Sequence, residues 1–129
     1  MTQKWVLVTG GSRGIGQALV TGLLPQWNVV FTGRSEQGIA RTLELAQDVQ
    51  STHWVKGYSC DGKDEQRVGE LAQQMLDEYG APAAIVHNAG IARDALHIHQ
   101  DAEVWRDVLD NNLISLVNCN RLLLPAMMM

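Results

Sequence analysis

An α/β fold built on a doubly wound parallel sheet is what this chain of 129 residues predicts, and three observations carry the prediction. Short apolar runs stopped by glycine or a polar turn recur four times, longer stretches with helical apolar spacing separate them, and the first junction is dense in glycine. Strand and helix in alternation are what a parallel sheet requires, because each parallel connection needs a crossover. The runs are nearly continuous in apolar residues, which suits strands covered by helices on both faces. The length fits one domain, residues 1–129.

The first strand is "KWVLVTG", residues 4–10, and it leads into a helix expected to start near Ile15, with Ile15, Leu19 and Leu23 at helical spacing. "NVVFTG" at 28–33 is the second strand, followed by a helix with Ile39, Leu43 and Ala46 at helical spacing. "HWVKGYS" at 53–59 is the third, and the helix after it carries Val68, Leu71, Ala72, Met75, Leu76 and Tyr79 on one stripe. "AAIVHNAG" at 83–90 is the fourth strand, after which Asp101 can cap a helix opening "AEVWRDVLDNN". The last segment, "LISLVNCNRLLLPAMMM", is apolar nearly all round, but Asn118, Asn120, Arg121 and Pro125 argue against a bilayer span. Burial in a core or a subunit interface is expected of it.

Ten Lys plus Arg against fourteen Asp plus Glu, with no basic run, exclude a surface that tracks nucleic acid. The start "MTQKWVLVTG" has too short an apolar stretch for a signal peptide, which predicts a cytoplasmic protein without a membrane segment. Cys60 and Cys119 lack a CxxC or Cys/His ligand spacing. They are expected to be small buried hydrophobes rather than a disulfide or metal ligands.

The glycines of "VTGGSRGIGQ", residues 8–17, fall between the first strand and the first helix. A helix N-terminus offers unpaired N–H groups and a positive dipole end, and a turn stripped of side chains lets a diphosphate reach them. Gly10 would allow the tight turn, Gly14 the close approach and Gly16 the packing of helix on strand. No Lys followed by Ser or Thr closes the turn, so a nucleoside-triphosphate loop is disfavoured and a dinucleotide site expected. At the end of the second strand, "FTGRS" has no carboxylate to grip a ribose 2′-OH. Arg34, with Ser35 beside it and Arg13 across the turn, suits a 2′-phosphate, which predicts NADP(H). Asn112, in mid-helix beside Asn111, breaks a local rule of helix composition and so points to function.

"TGGSRGIG", with Gly10, Ser12, Arg13, Gly14, Ile15 and Gly16, resembles the TGxxxGxG signature of the short-chain dehydrogenases/reductases. "NAG", which is Asn88, Ala89 and Gly90, is similar to that family's NNAG motif, with His87 where an asparagine usually stands. The resemblance implies a Rossmann-like fold and a cofactor whose adenine amino group meets Asp61 and whose adenosine half borders the NAG segment. "NNL" at 111–113 matches the family's helical Asn-Leu, which makes Asn112 the counterpart of a catalytic asparagine that holds a proton-relaying water. A histidine at a strand end reads as a hydrogen-bonded structural residue, and no chemistry is assigned to His87.

The family's catalytic serine and YxxxK pair have no counterpart: Tyr58 has Gly62 four residues on, and Tyr79 has Ala83. The resemblance thus implies the N-terminal part of a longer enzyme, cut before the Tyr/Lys segment, which as it stands should not catalyse. Arg93, Asp94 and Leu96 after "NAGI" look most like the 3-oxoacyl-[acyl-carrier-protein] reductase branch. That branch implies NADPH-dependent reduction of an acyl thioester carried by acyl carrier protein, and a tetramer packed through the last helix. Reduction of another ketone, or a non-catalytic NADP-binding or scaffold role, stays open.

Overall fold

The computed structural model describes residues 4–89, 102, 103, 106 and 113–129. The expectations for Gly90, Arg93, Asp94, Leu96, Asp101, Asn111 and Asn112 lie outside the described residues. Among the described residues eight elements follow in order: β1 (Trp5–Thr9), α1 (Gly14–Leu23), β2 (Asn28–Gly33), α2 (Glu36–Gln47), β3 (Val55–Ser59), α3 (Glu65–Tyr79), β4 (Ala84–His87) and α4 (Ser115–Met127). The strands form one sheet in the order β3-β2-β1-β4, every pair parallel, with Leu7 opposite Val30 on one side and Ile85 on the other. This is the α/β class that the alternation predicts.

Because successive side chains of a strand point to opposite faces, β1 feeds two cores. Trp5 and Leu7 join Val30, Leu71, Met75, Cys119 and Leu123 under α3 and α4. Val6 and Val8 join Val20, Leu24, Val29, Phe31, Ile39 and Ala46 under α1 and α2. Local chemistry sets the helix ends: the Ser35 hydroxyl accepts from Gly38 N at 3.2 Å, and Asp64 accepts from Arg67 N at 3.1 Å. Gly80, at φ 79°, closes α3 in a conformation that suits glycine, and its N–H returns to Leu76 O.

Three expectations need adjusting. The third strand starts at Val55 rather than 53: Trp54 N is taken by the Asn28 side chain at 3.0 Å, and pairing with β2 opens with Val29 N donating to Trp54 O at 3.0 Å, which sets Val55 opposite Val29. The fourth ends at His87 rather than 90, since Asn88 and Ala89 turn their N–H groups onto the Thr9 hydroxyl. Full burial by helices on both faces holds for β1 and most of β2, but β3 and β4 are half-exposed, being the outer strands among the described residues.

Candidate functional site

All four strands point their C-terminal ends to one edge, and with β1 between β2 and β4 the crossovers leave that edge toward opposite faces. Such a switch in strand order opens a crevice above the carboxyl ends of the central strands. A cleft of about 470 Å³ lies there. Gly10, Ser12, Arg13, Gly14, Ile15, Arg34, Ser35, Asp61, Asn88 and Ala89, all singled out from sequence, line it. Gly16 is buried behind them, and Gly90 and Asn112 lie outside the described residues.

The glycine turn has the geometry that its spacing suggests. Gly10 adopts φ +71°, and a Cβ there would stand 2.8 Å from Ala89 Cα, so the turn passes directly against the segment after β4. Gly14 adopts φ +57° with nothing within 4 Å of its missing side chain, which leaves the start of α1 open. A Cβ on Gly16 would lie 1.9 Å from Gly10 O, so the helix rests on the turn. No side chain caps α1, whose N-cap is Arg13. The start of α1, with the positive end of its dipole, could therefore receive an anion.

Side chains behind the turn hold it in place. Thr9 Oγ1 accepts from Asn88 N and Ala89 N, both at 3.1 Å, and Asn88 Nδ2 donates to Gly10 O at 3.0 Å. Thr42 Oγ1 donates to Gly11 O at 2.9 Å, while Gln17 Nε2 donates to Thr42 Oγ1 at 3.0 Å and to Ser12 O at 3.4 Å. Ser12 packs where Gly33 and Gly38 leave room, for a Cβ on either would come within 3.0 Å of it. Thr9, Gln17 and Thr42 escaped the sequence reading. The usable signal was Thr42, a polar residue on the helical stripe shared by Ile39 and Ala46.

Arg13, Arg34 and Ser35 stand exposed around the corner between the turn and α2. Ser35 spends its hydroxyl oxygen on capping α2, but the hydroxyl proton can still be donated to a ligand. Asp61 Oδ1 accepts from Lys63 N at 3.0 Å, which fixes the carboxylate in the loop after β3. Beside it, burial pushes the Cys60 thiol up against the opposing pull of Arg67. On the far wall, Asn118 Nδ2 donates to Gly62 O at 2.9 Å, Arg121 pairs with Glu65, and His87 Nε2 lies 2.9 Å from Asn120 Oδ1. His87 thus holds a polar tether to α4. Asn118, Asn120 and Arg121, which argue against a membrane helix, dock α4 on the loop after β3, the end of β4 and the start of α3.

Among the described residues no three His, Cys, Asp or Glu side chains gather as a metal site, and no helix is long and apolar enough to cross a membrane.

Comparison with known proteins places these features in context. The family model described as short chain dehydrogenase matches residues 4–129. The chain is 32% identical over 126 residues to a 3-oxoacyl-[acyl-carrier-protein] reductase of Vibrio cholerae, covering 97% of this chain and 50% of that protein. With the protein of the same name from Haemophilus influenzae it shares 32% over 129 residues, 99% of this chain and 51% of the relative. The chain therefore spans about half the length of the curated relatives it matches. Among solved structures, a putative short-chain dehydrogenase/reductase from Burkholderia xenovorans superposes with a TM-score of 0.88 at 25% identity, over 96% of this chain and 51% of that one. L-Sorbose reductase from Gluconobacter frateurii, complexed with NADPH and L-sorbose, gives 0.86 at 20% identity over 98% and 48%, a likeness of fold.

Proposed function

The chain belongs to the short-chain dehydrogenase family, and from that premise we propose that it forms the cofactor-holding part of an NADP(H)-dependent reductase acting on 3-oxoacyl thioesters of acyl carrier protein. The observation that carries the cofactor reading is the corner where Arg34 and Ser35 face the same cleft as Arg13 and the uncapped start of α1. The open space at Gly14 fits a diphosphate, and the absence of a carboxylate from Phe31 to Ser35 fits a 2′-phosphate. When bound, the nicotinamide would supply hydride to a ketone carbon.

This chain's residues bind and orient. The first turn of α1 holds the diphosphate, Arg34, Arg13 and Ser35 hold the 2′-phosphate, and Asp61 with the segment Asn88, Ala89 and Gly90 borders the adenosine half. Asn112 is assigned the water of a proton relay by family resemblance. The relatives named 3-oxoacyl-[acyl-carrier-protein] reductase support the substrate class. In this reading the protein works in the cytoplasm and assembles as a homo-oligomer, a tetramer, through α4, which keeps Val117, Leu122 and Leu124 exposed.

The test is turnover of acetoacetyl thioesters, free and on acyl carrier protein, by the native polypeptide that carries this chain. Oxidation of NADPH with these substrates is expected. Good turnover of a sugar or steroid ketone with none of any 3-oxoacyl thioester would assign the protein to another branch of the family.

A further inference from the structure

The carbonyl groups of the glycine turn are claimed one by one. Gly10 O takes Asn88 Nδ2, Gly11 O takes the Thr42 hydroxyl, and Ser12 O takes Gln17 Nε2. In a trans peptide the C=O of one residue and the N–H of the next point in opposite directions, and none of the described peptides is cis. Fastening Gly11 O onto α2 therefore turns the Ser12 N–H away from α2. Fastening Ser12 O onto Gln17 turns the Arg13 N–H away from it in the same manner.

The Gly10–Gly11 peptide is held at both ends, Gly11 N donating to Thr32 O at 2.8 Å and Gly10 O accepting from Asn88, whereas Gly11 has no side chain to resist a flip of the peptide plane between it and Ser12. A flipped Gly11–Ser12 peptide would present a carbonyl oxygen where an N–H now stands, and an approaching anion would meet negative instead of positive partial charge. Thr42 is fully buried at a position of α2 flanked by Ile39 and Ala46, where valine would fill the same space. A buried hydroxyl costs free energy unless it is bonded, and this one both donates to Gly11 O and accepts from Gln17.

We propose that Thr42 is a positioning residue for the dinucleotide: its hydroxyl, backed by Gln17, locks the Gly11–Ser12 peptide so that the turn offers donors to the diphosphate. The inference rests on reading the turn as a dinucleotide seat, but not on the choice between NADP(H) and NAD(H), which share the diphosphate.

Dissociation constants of NADPH and NADH, measured well below the melting temperature of each protein, test it in the parent and in Thr42→Val, Thr42→Ser and Gln17→Leu. Thr42→Val should weaken both cofactors by a common factor of about ten or more, the loss of one hydrogen bond plus an unpaired carbonyl. Thr42→Ser should bring both back to within about threefold of the parent, and Gln17→Leu should fall between. Thr42→Val binding within about twofold of the parent, a loss confined to NADPH, or no rescue by serine would overturn the proposal. If Thr42→Val does not fold, Gln17→Leu decides, and unaltered binding there overturns it. A parent that prefers NADH would refute the NADP(H) reading and leave Thr42 its role, whereas a parent that binds neither refutes both.

Discussion

Gly14 and Gly16 stand two residues apart and answer to different constraints. At Gly14 the backbone is left-handed at φ +57°, yet its side-chain space is open, so alanine should cost about 1–2 kcal/mol of strain and put a methyl into the anion seat. At Gly16 a methyl would run into Gly10 O at 1.9 Å and Asn88 Nδ2 at 2.5 Å, which should cost about 3 kcal/mol or more or prevent folding. Denaturant unfolding with NADPH titration separates the two: Gly14→Ala should fold and lose NADPH, Gly16→Ala should lose the fold. Equal stability losses would contradict this division of roles. Glycine was legible in the sequence because few other residues tolerate such positions. Thr9 and Gln17 were not, since a threonine at a strand end or a glutamine on a helix is ordinary until its partner is known.

α4 shows how an element and its burial can be recognised while the contacts that dock it stay unread. Its apolar character was plain, but the contacts that seat it are polar and long-range: Asn118 to Gly62, Arg121 to Glu65 and Asn120 to His87. No periodicity reports a bond between residues 56 positions apart. Cys119 and Leu123 then fill the core beneath, as expected of a buried cysteine, while Cys60 is only half-buried. Burial, with Cys60 nearby, pushes the Cys119 thiol up from 9.0 to about 11. The unfolded chain therefore loses this proton first as pH rises. The stability this thiol contributes is complete below pH 9 and declines toward pH 11, by about 2–3 kcal/mol. The urea midpoint should drop between about pH 9 and pH 11, the span of the shift, and Cys119→Ala should flatten the drop. A pH dependence that the substitution leaves unaltered would contradict the assignment.

At the scale of the whole molecule, the alternation of strands and helices was enough to predict a parallel sheet, because parallel strands admit few other connections. The order β3-β2-β1-β4 was beyond the residues themselves, since nothing in an apolar run states which run it will pair with. That order positions the candidate site: it sets the crevice above β1 and gathers Arg13, Arg34, Asp61 and Asn88 from separate loops around one cleft. The exposed burial pattern of β4 and the apolar side of α4 belong to this scale too, as surfaces that a single run of sequence leaves undecided. The central claim is that this cleft seats a dinucleotide by its diphosphate and selects the 2′-phosphate with Arg34. Calorimetric titration of NADPH and NADH into the parent and Arg34→Ala tests it most directly. NADPH should bind at least about tenfold tighter than NADH, and the substitution should erase that preference with little change for NADH, as expected for a charge-assisted contact of about 1.5–3 kcal/mol. Equal affinities in the parent, tighter NADH, or an unchanged preference in Arg34→Ala would contradict the account.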